Sequence, residues 1–376
     1  MIPFNIADFQ PRAWSILTRS FAAGRVAGTY LLHGNNGRGH WAMAISLAAL
    51  LNCENKPGSD ASNGPVLPCG ECRNCRKIFG LNHEGLYFAL PLPPHKPGDE
   101  EIELINEILQ LKREEPFRIP SSTSSTNIPI SVAREIKKSL SRMSGGGITR
   151  VVVFYRMELM RTASADALLK LIEEPPRDTV IILTASRPEA LLPTIQSRSQ
   201  KIKLERIPEQ AAVDYLVERY EIKSERAKLL ARIADGSLGH AIDMVDQDES
   251  ADTSGRAVGF FLFKSLVWQD GAQMTAHINE MLNPRDRGEA EGILNLWQSL
   301  IRDCASLAIS GSDEDIINTD FAADIRKMAV RFANPAVSLR MADGIKITLA
   351  DLRRNVHIQG ALTSLALKLK SAMKVA

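Results

Sequence analysis

The chain has 376 residues, enough for two or three domains at about 150 residues each. Its 44% hydrophobic and 24% charged residues exclude collagen-like, low-complexity and wholly disordered chains. The 46 Lys and Arg nearly cancel the 44 Asp and Glu, for a net charge of +2, which excludes a protein that binds nucleic acid mainly by neutralising phosphates.

The first residues, Met1-Ile2-Pro3-Phe4-Asn5, lack the charged and apolar stretches of a secretory signal, and no apolar run approaches the ~20 residues of a membrane span. No membrane role and a cytoplasmic address are expected. From about Thr29 to Leu204, short apolar runs alternate with helical patterns. Runs at Thr29–His33, Leu86–Ala89, Val151–Phe154, Val180–Leu183 and Lys201–Leu204 read as strands covered on both faces, as in a parallel sheet. Helices are predicted over Trp41–Leu51, Ser131–Leu140 and Ser164–Glu174, the last ending at Pro175-Pro176. Alternating β and α units imply a doubly wound α/β domain with its site beyond the carboxyl ends of the strands.

The first strand runs into Gly34-Asn35-Asn36-Gly37-Arg38-Gly39-His40-Trp41, which then opens a helix. That is the place of a P-loop, whose pattern is Gly, four residues, Gly, Lys, then Ser or Thr. Gly34 and Gly39 match in spacing, and Gly37 lies between them. His40 stands where a lysine would pair with phosphate, and Trp41 where a hydroxyl would ligate magnesium. The third strand, which should end in an acidic pair, ends in Tyr155-Arg156. ATP hydrolysis by this chain is therefore not expected, and a bound nucleotide would be non-productive. Nucleotide binding through the loop amides stays open, as does a tight turn whose glycines serve packing.

Four of the five cysteines follow, with two-residue gaps in Cys69-Gly70-Glu71-Cys72-Arg73-Asn74-Cys75 and Cys53 upstream across a fifteen-residue gap. Four soft ligands at these gaps suit one tetrahedral structural Zn2+ with no open position for catalysis. Free buried thiols or disulfides are the alternatives. Residues 91–130 break the β/α rhythm with Pro91-Leu92-Pro93-Pro94, a charged helix over Glu100–Glu114 and a Ser/Thr run from Ser121 to Thr126, and read as a surface insertion with a flexible tip. After Pro208 the chain reads as helical: Glu209–Tyr220, Lys223–Ala234 and Gly239–Val245, then a polar stretch from Asp246 to Gly255. Further helices are expected over Met281–Leu307 (broken near Pro284), Phe321–Phe332 and from Asn334 onward.

The zinc module after the loop helix, the stretch Ala167-Leu168-Leu169-Lys170-Leu171-Ile172-Glu173-Glu174-Pro175-Pro176, and Ser197-Arg198 ahead of the last strand together resemble bacterial clamp-loader subunits, the AAA+ proteins of the DNA polymerase III holoenzyme. The resemblance spans about residues 14–245, with 91–130 as an insertion. It implies an α/β fold: an AAA+ RecA-like parallel sheet flanked by helices, then a small helical lid and an all-α C-terminal domain. The expected boundaries are 1–206 for the core with its zinc module (53–75), 207–250 for a three-helix lid and 256–376 for a helical collar or oligomerisation domain.

Within the family, the gamma/tau motor keeps an intact P-loop, an acidic pair and a lid arginine. Here Gly239 stands in place of that arginine, in Gly236-Ser237-Leu238-Gly239-His240-Ala241. Together with His40, Trp41, Tyr155 and Arg156, this favours the non-hydrolysing delta-prime branch over the alternative, an active gamma/tau-type ATPase. The resemblance implies that Arg198, with Ser197, acts as an arginine finger in the ATP site of a neighbouring motor. Ser199 departs from the family's usual Cys. Implied partners are the gamma/tau motor and delta subunits in a hetero-oligomeric ring, and through it the sliding clamp and primer-template DNA.

Overall fold

The structure, a computed structural model, describes residues 4–55, 66–96, 98–120, 126–142, 147–166, 168–246, 249–268, 271–281, 287–313, 316–353 and 356–374. It forms two compact units, Met1–Asp243 and Met244–Ala376.

The first unit is built on five parallel strands: β1 (Thr29–His33), β2 (Leu86–Ala89), β3 (Arg150–Phe154), β4 (Thr179–Ala185) and β5 (Gln200–Lys203). Their order is β2-β3-β4-β1-β5, and β1 registers Leu31 against Leu183 of β4 and Lys201 of β5. Strands β3 and β4 are buried at every residue, whereas the edge strand β5 buries only Ile202. Helices on both faces explain why the central strands read as continuous apolar runs. The parallel α/β expectation thus holds, with the loop after β1 one strand in from the β5 edge of the sheet.

Every residue of the helix His40–Asn52 is buried, so its sequence, apolar all round, lacks an amphipathic stripe. The helix predicted over Ser164–Glu174 is instead two short ones, Thr162–Asp166 and Leu169–Glu173. The insertion is closed at its base by an antiparallel bridge, Leu92 to Asn127, with amide-to-carbonyl distances of 2.8 and 2.9 Å. Its helix, Asp99–Glu114, exposes most residues but buries Lys112, and Phe117 just beyond it is also buried. The reading of this segment as a surface insertion is therefore corrected for Lys112 and for residues 115–117, which are buried. The expected Ser/Thr tip at 121–125 lies outside the described residues. Three helices follow β5: Glu209–Tyr220, Ser224–Ile233 and Leu238–Asp246.

In the second unit all described elements are helical, chiefly Glu249–Trp268, Gly271–Met281, Arg287–Ser310, Ala322–Ala329, Pro335–Arg353 and Ile358–Lys374. The first of these takes in most of the stretch from 246 to 255 that composition alone gave to a polar connection. The core packs Trp297 against Phe263, and the indole N–H is satisfied by the Gly259 carbonyl at 2.9 Å. Asp303, fully buried, accepts from the Ile317 and Asn318 amides at 3.1 and 2.8 Å, which satisfies a carboxylate that water cannot reach.

Candidate functional site

Three groups of residues carry chemistry, and all belong to the first unit. The phosphate loop leaves the end of β1, and Gly39 caps the following helix in the left-handed conformation at φ 85°. The loop is closed by the chain itself. Gly239, in the first turn of Leu238–Asp246, donates its amide to the Gly37 carbonyl at 3.1 Å, and Ser237 Oγ donates to the Asn36 carbonyl at 2.8 Å. Gly37 has φ 75°, and a Cβ there would strike Ser237 Oγ. A Cβ on Gly239 would lie 2.7 Å from the Phe117 carbonyl oxygen and 2.8 Å from Gly37 Cα. The position where a motor carries an arginine therefore has no room for any side chain.

His40 is buried and bonded to the Gly34 backbone; burial, then repulsion from Lys112, pushes its imidazole down to about 3, so it stays neutral. Trp41 stacks on Phe88 with ring centroids 5.0 Å apart and meets Tyr155 edge-on at 5.5 Å. Two aromatic rings thus stand where a magnesium hydroxyl ligand and a carboxylate would stand. Arg156 takes φ 56°, donates its amide to Thr184 Oγ1 at 2.8 Å, and turns its side chain toward Glu158. The Lys112 ammonium lies against both Trp41 and Tyr155, 5.7 Å and 4.8 Å from the two ring centroids, and donates to the Arg118 carbonyl. Sequence reasoning missed Lys112 and Phe117, because a lysine in a charged helix reads as solvated. The visible signal was the apolar trio Phe117, Ile119 and Pro120 closing an otherwise polar segment.

The four predicted cysteines converge, with their Sγ atoms all within 4.8 Å of one another. Cys53 caps the C-terminal end of His40–Asn52, and Cys72 caps the N-terminus of Arg73–Phe79. All four are free thiols, which sets aside the disulfide alternative. The sulfurs of Cys69 and Cys75 lie 3.9 Å apart, near the edge of about 3.8 Å that a tetrahedron with ~2.3 Å metal–sulfur bonds requires. Backbone amides point at the sulfurs: Cys69 N to Cys53, Cys72 N to Cys69 and Cys75 N to Cys72, at 3.3 to 3.4 Å. Burial opposes ionisation of Cys69, but the amides of Cys72 and Glu71 outweigh it and hold the thiol at about 6. Burial pushes Cys53 and Cys75 up. Four sulfurs crowded together, with backbone amides aimed at them, suit a cation that draws off the thiol protons.

Arg198 ends the short helix Pro193–Arg198 ahead of β5 and is half-exposed. Its Nε lies 3.0 Å from Glu173 Oε2, and its Nη1 donates to the Thr194 carbonyl at 3.2 Å. Ser197 Oγ donates to the same carbonyl at 3.1 Å, and Ser199 is buried against Ile195. Arg198 and the phosphate loop are thus separate features, placed at opposite ends of the neighbouring strands β5 and β1.

A family model described as "DNA polymerase III, delta subunit" matches residues 9–208, more than half of the chain. The DNA polymerase III subunit delta' of Bacillus subtilis (strain 168) is 24% identical over 365 residues, covering 96% of this chain and 97% of that one. Its Escherichia coli (strain K12) counterpart is 27% identical over 232 residues, covering 62% of this chain and 58% of its own. The subunit tau of Bacillus subtilis (strain 168) is 23% identical over 223 residues, covering 58% of this chain but 32% of its own length. With that match over the sheet, the cysteine cluster and the Ser-Arg element, the chain belongs to the DNA polymerase III delta-subunit family, in its delta-prime, clamp-loader branch.

Proposed function

We propose that this chain is the non-hydrolysing member of a hetero-oligomeric clamp loader. Beside gamma/tau motor and delta subunits in the cytoplasm, it helps the ATP-driven motors to place the sliding clamp on primer-template DNA. The observation that carries the reading is the closed loop: Gly239 seated on Gly37, with Trp41 and Tyr155 in place of a metal ligand and an acid. Such a loop has neither the cation partner nor the carboxylate that in-line phosphoryl transfer needs.

In this reading the reactive group is offered outward. Arg198 brings a permanent, forked charge to the γ-phosphate of the neighbouring motor, and Glu173 holds it until that phosphate competes for it. The four thiolates of Cys53, Cys69, Cys72 and Cys75 hold a structural zinc that fastens the 66–81 segment to the loop helix. Residues 1–206, 207–250 and 256–376 serve as core, lid and collar.

The test is reconstitution with motor and delta subunits. Arg198→Ala should leave folding and metal content unchanged and cut hydrolysis at the neighbouring motor site by roughly 10³-fold or more. Because the other motor sites still turn over, the whole complex loses only that site's share, and clamp loading onto primed DNA falls with it. Unaltered turnover and loading would return Arg198 to an ordinary surface ion pair, and ATP turnover by the isolated chain would sink the non-hydrolysing reading.

A further inference from the structure

The insertion between β2 and β3 has no part in the function so far, yet residues 112–119 contact the phosphate loop, the core and the lid. Four contacts define it. Lys112, 2% exposed, sets its ammonium against both rings at the metal-ligand and acid positions. Glu115 reaches Arg219 Nε at 2.7 Å and the Tyr215 hydroxyl at 3.1 Å, both on the lid helix Glu209–Tyr220. The Phe117 ring lies against Phe9 at 4.6 Å and Phe4 at 5.3 Å on the core side, and against Tyr215 at 5.3 Å on the lid side. The same ring comes within 3.0 Å of where a Gly39 Cβ would stand, and the Phe117 carbonyl and Ile119 side chain crowd Gly239.

A nucleotide in a P-loop protein lies between the loop and the residues that close over it, its charge met by a lysine and a divalent cation. Here the same positions are taken by chain. The ammonium stands where the divalent cation would, and an aromatic ring and a carboxylate reach from the loop to the lid. We propose that Lys112–Ile119 is a built-in strap that replaces nucleotide as the fastener of lid to core, with Lys112, Glu115 and Phe117 as its positioning residues. The lid is then held closed on the loop by residues of the insertion, independently of any adenine nucleotide.

Amide hydrogen exchange on the full chain tests this, with Phe117→Ala and Arg219→Gln as variants and ATP turnover measured alongside. Loss of the buried ring should speed exchange at residues 36–41 and 237–243 together, on the order of a hundredfold. Arg219→Gln, at a half-exposed position outside the core, should give the same pattern at about tenfold. Exchange in β3 and β4 should stay as in the parent, and Mg·ATP added to the parent should change nothing at either segment.

Parent-like exchange at both segments in a folded Phe117→Ala chain overturns the strap. Should that variant fail to fold, parent-like exchange in Arg219→Gln does so. Protection of residues 36–41 by Mg·ATP in the parent also overturns it, because it puts a ligand where the strap stands. The strap rests on the loop being inert, and the two fail separately. Turnover by the isolated chain sinks the inert loop, whereas an ATP-inert chain with unaltered exchange in the variants sinks the strap alone.

Discussion

Replacing Lys112 with Met keeps the length of the side chain and removes its charge. In the parent, burial and then repulsion from Arg156 push the ammonium down to about 7 from an ordinary 10.5, while Asp243 pulls the other way. Of the other titratable groups facing it, His40 is already neutral across this range, and burial pushes the Tyr155 phenol above it. Between the two values the unfolded chain binds a proton that the folded chain does not, so Lys112 makes stability rise with pH by about 1.4 kcal/mol per unit. Below the folded value both states are charged and the full burial cost is felt; above 10.5 it is gone. Over the window the rise amounts to about 5 kcal/mol. The faces of Trp41 and Tyr155 favour the ammonium by about 2 kcal/mol, which raises the folded value and narrows the rise to about 3 kcal/mol.

The assay is urea unfolding of parent and Lys112→Met at matched ionic strength, near pH 7 and near pH 10. Other groups that titrate there are common to both chains and cancel in the comparison. Met should be the more stable residue at the lower pH, and its advantage should shrink by roughly 2 kcal/mol on going to the higher one, which stops short of 10.5. A difference between the two chains that does not change with pH would refute the placement of a buried ammonium against the two rings.

Gly239→Arg, which restores the residue of the motor branch, should cost about 2 to 3 kcal/mol in urea unfolding, because even its Cβ meets the Phe117 carbonyl and Gly37; a neutral substitution would mean that the lid stands off the loop. Metal analysis of the purified chain should find one equivalent of zinc. Cys72→Ala, or a strong chelator, should remove it and lower Tm by about 2 to 4 °C for each kcal/mol lost, and a Tm indifferent to both would leave the four thiols without a metal.

The sheet was legible because its strands are short apolar runs bounded by turns. β1 and β2 begin and end where the sequence puts them, and the other three differ by two residues or fewer at either end. The cysteine cluster was legible for a related reason: two-residue gaps already bring sulfurs close, and the fold has only to deliver Cys53 from the end of a helix. The strap was not legible. Nothing in Asp99–Glu114 distinguishes Lys112 from its neighbours as a residue that leaves water, since its partners Trp41, Tyr155 and Arg118 come from distant parts of the chain or from beyond the helix end. The break within 164–174 and the helix starting at Glu249 were missed because composition fixes neither where a helix is interrupted nor where a polar segment joins one. Closure of the loop by Gly239 was half legible: the absent arginine showed in the sequence, and the contact that forbids it did not.

The antiparallel bridge from Leu92 to Asn127 ties down both roots of the insertion. A plug moored at both ends cannot diffuse away, and its local concentration is set by tether length, in the millimolar range for short connections. Dilution does not empty its seat and no catalytic cycle consumes it. In the proposed strap, a lid shut in this way stays closed on the loop whether the adenylate pool is charged or spent.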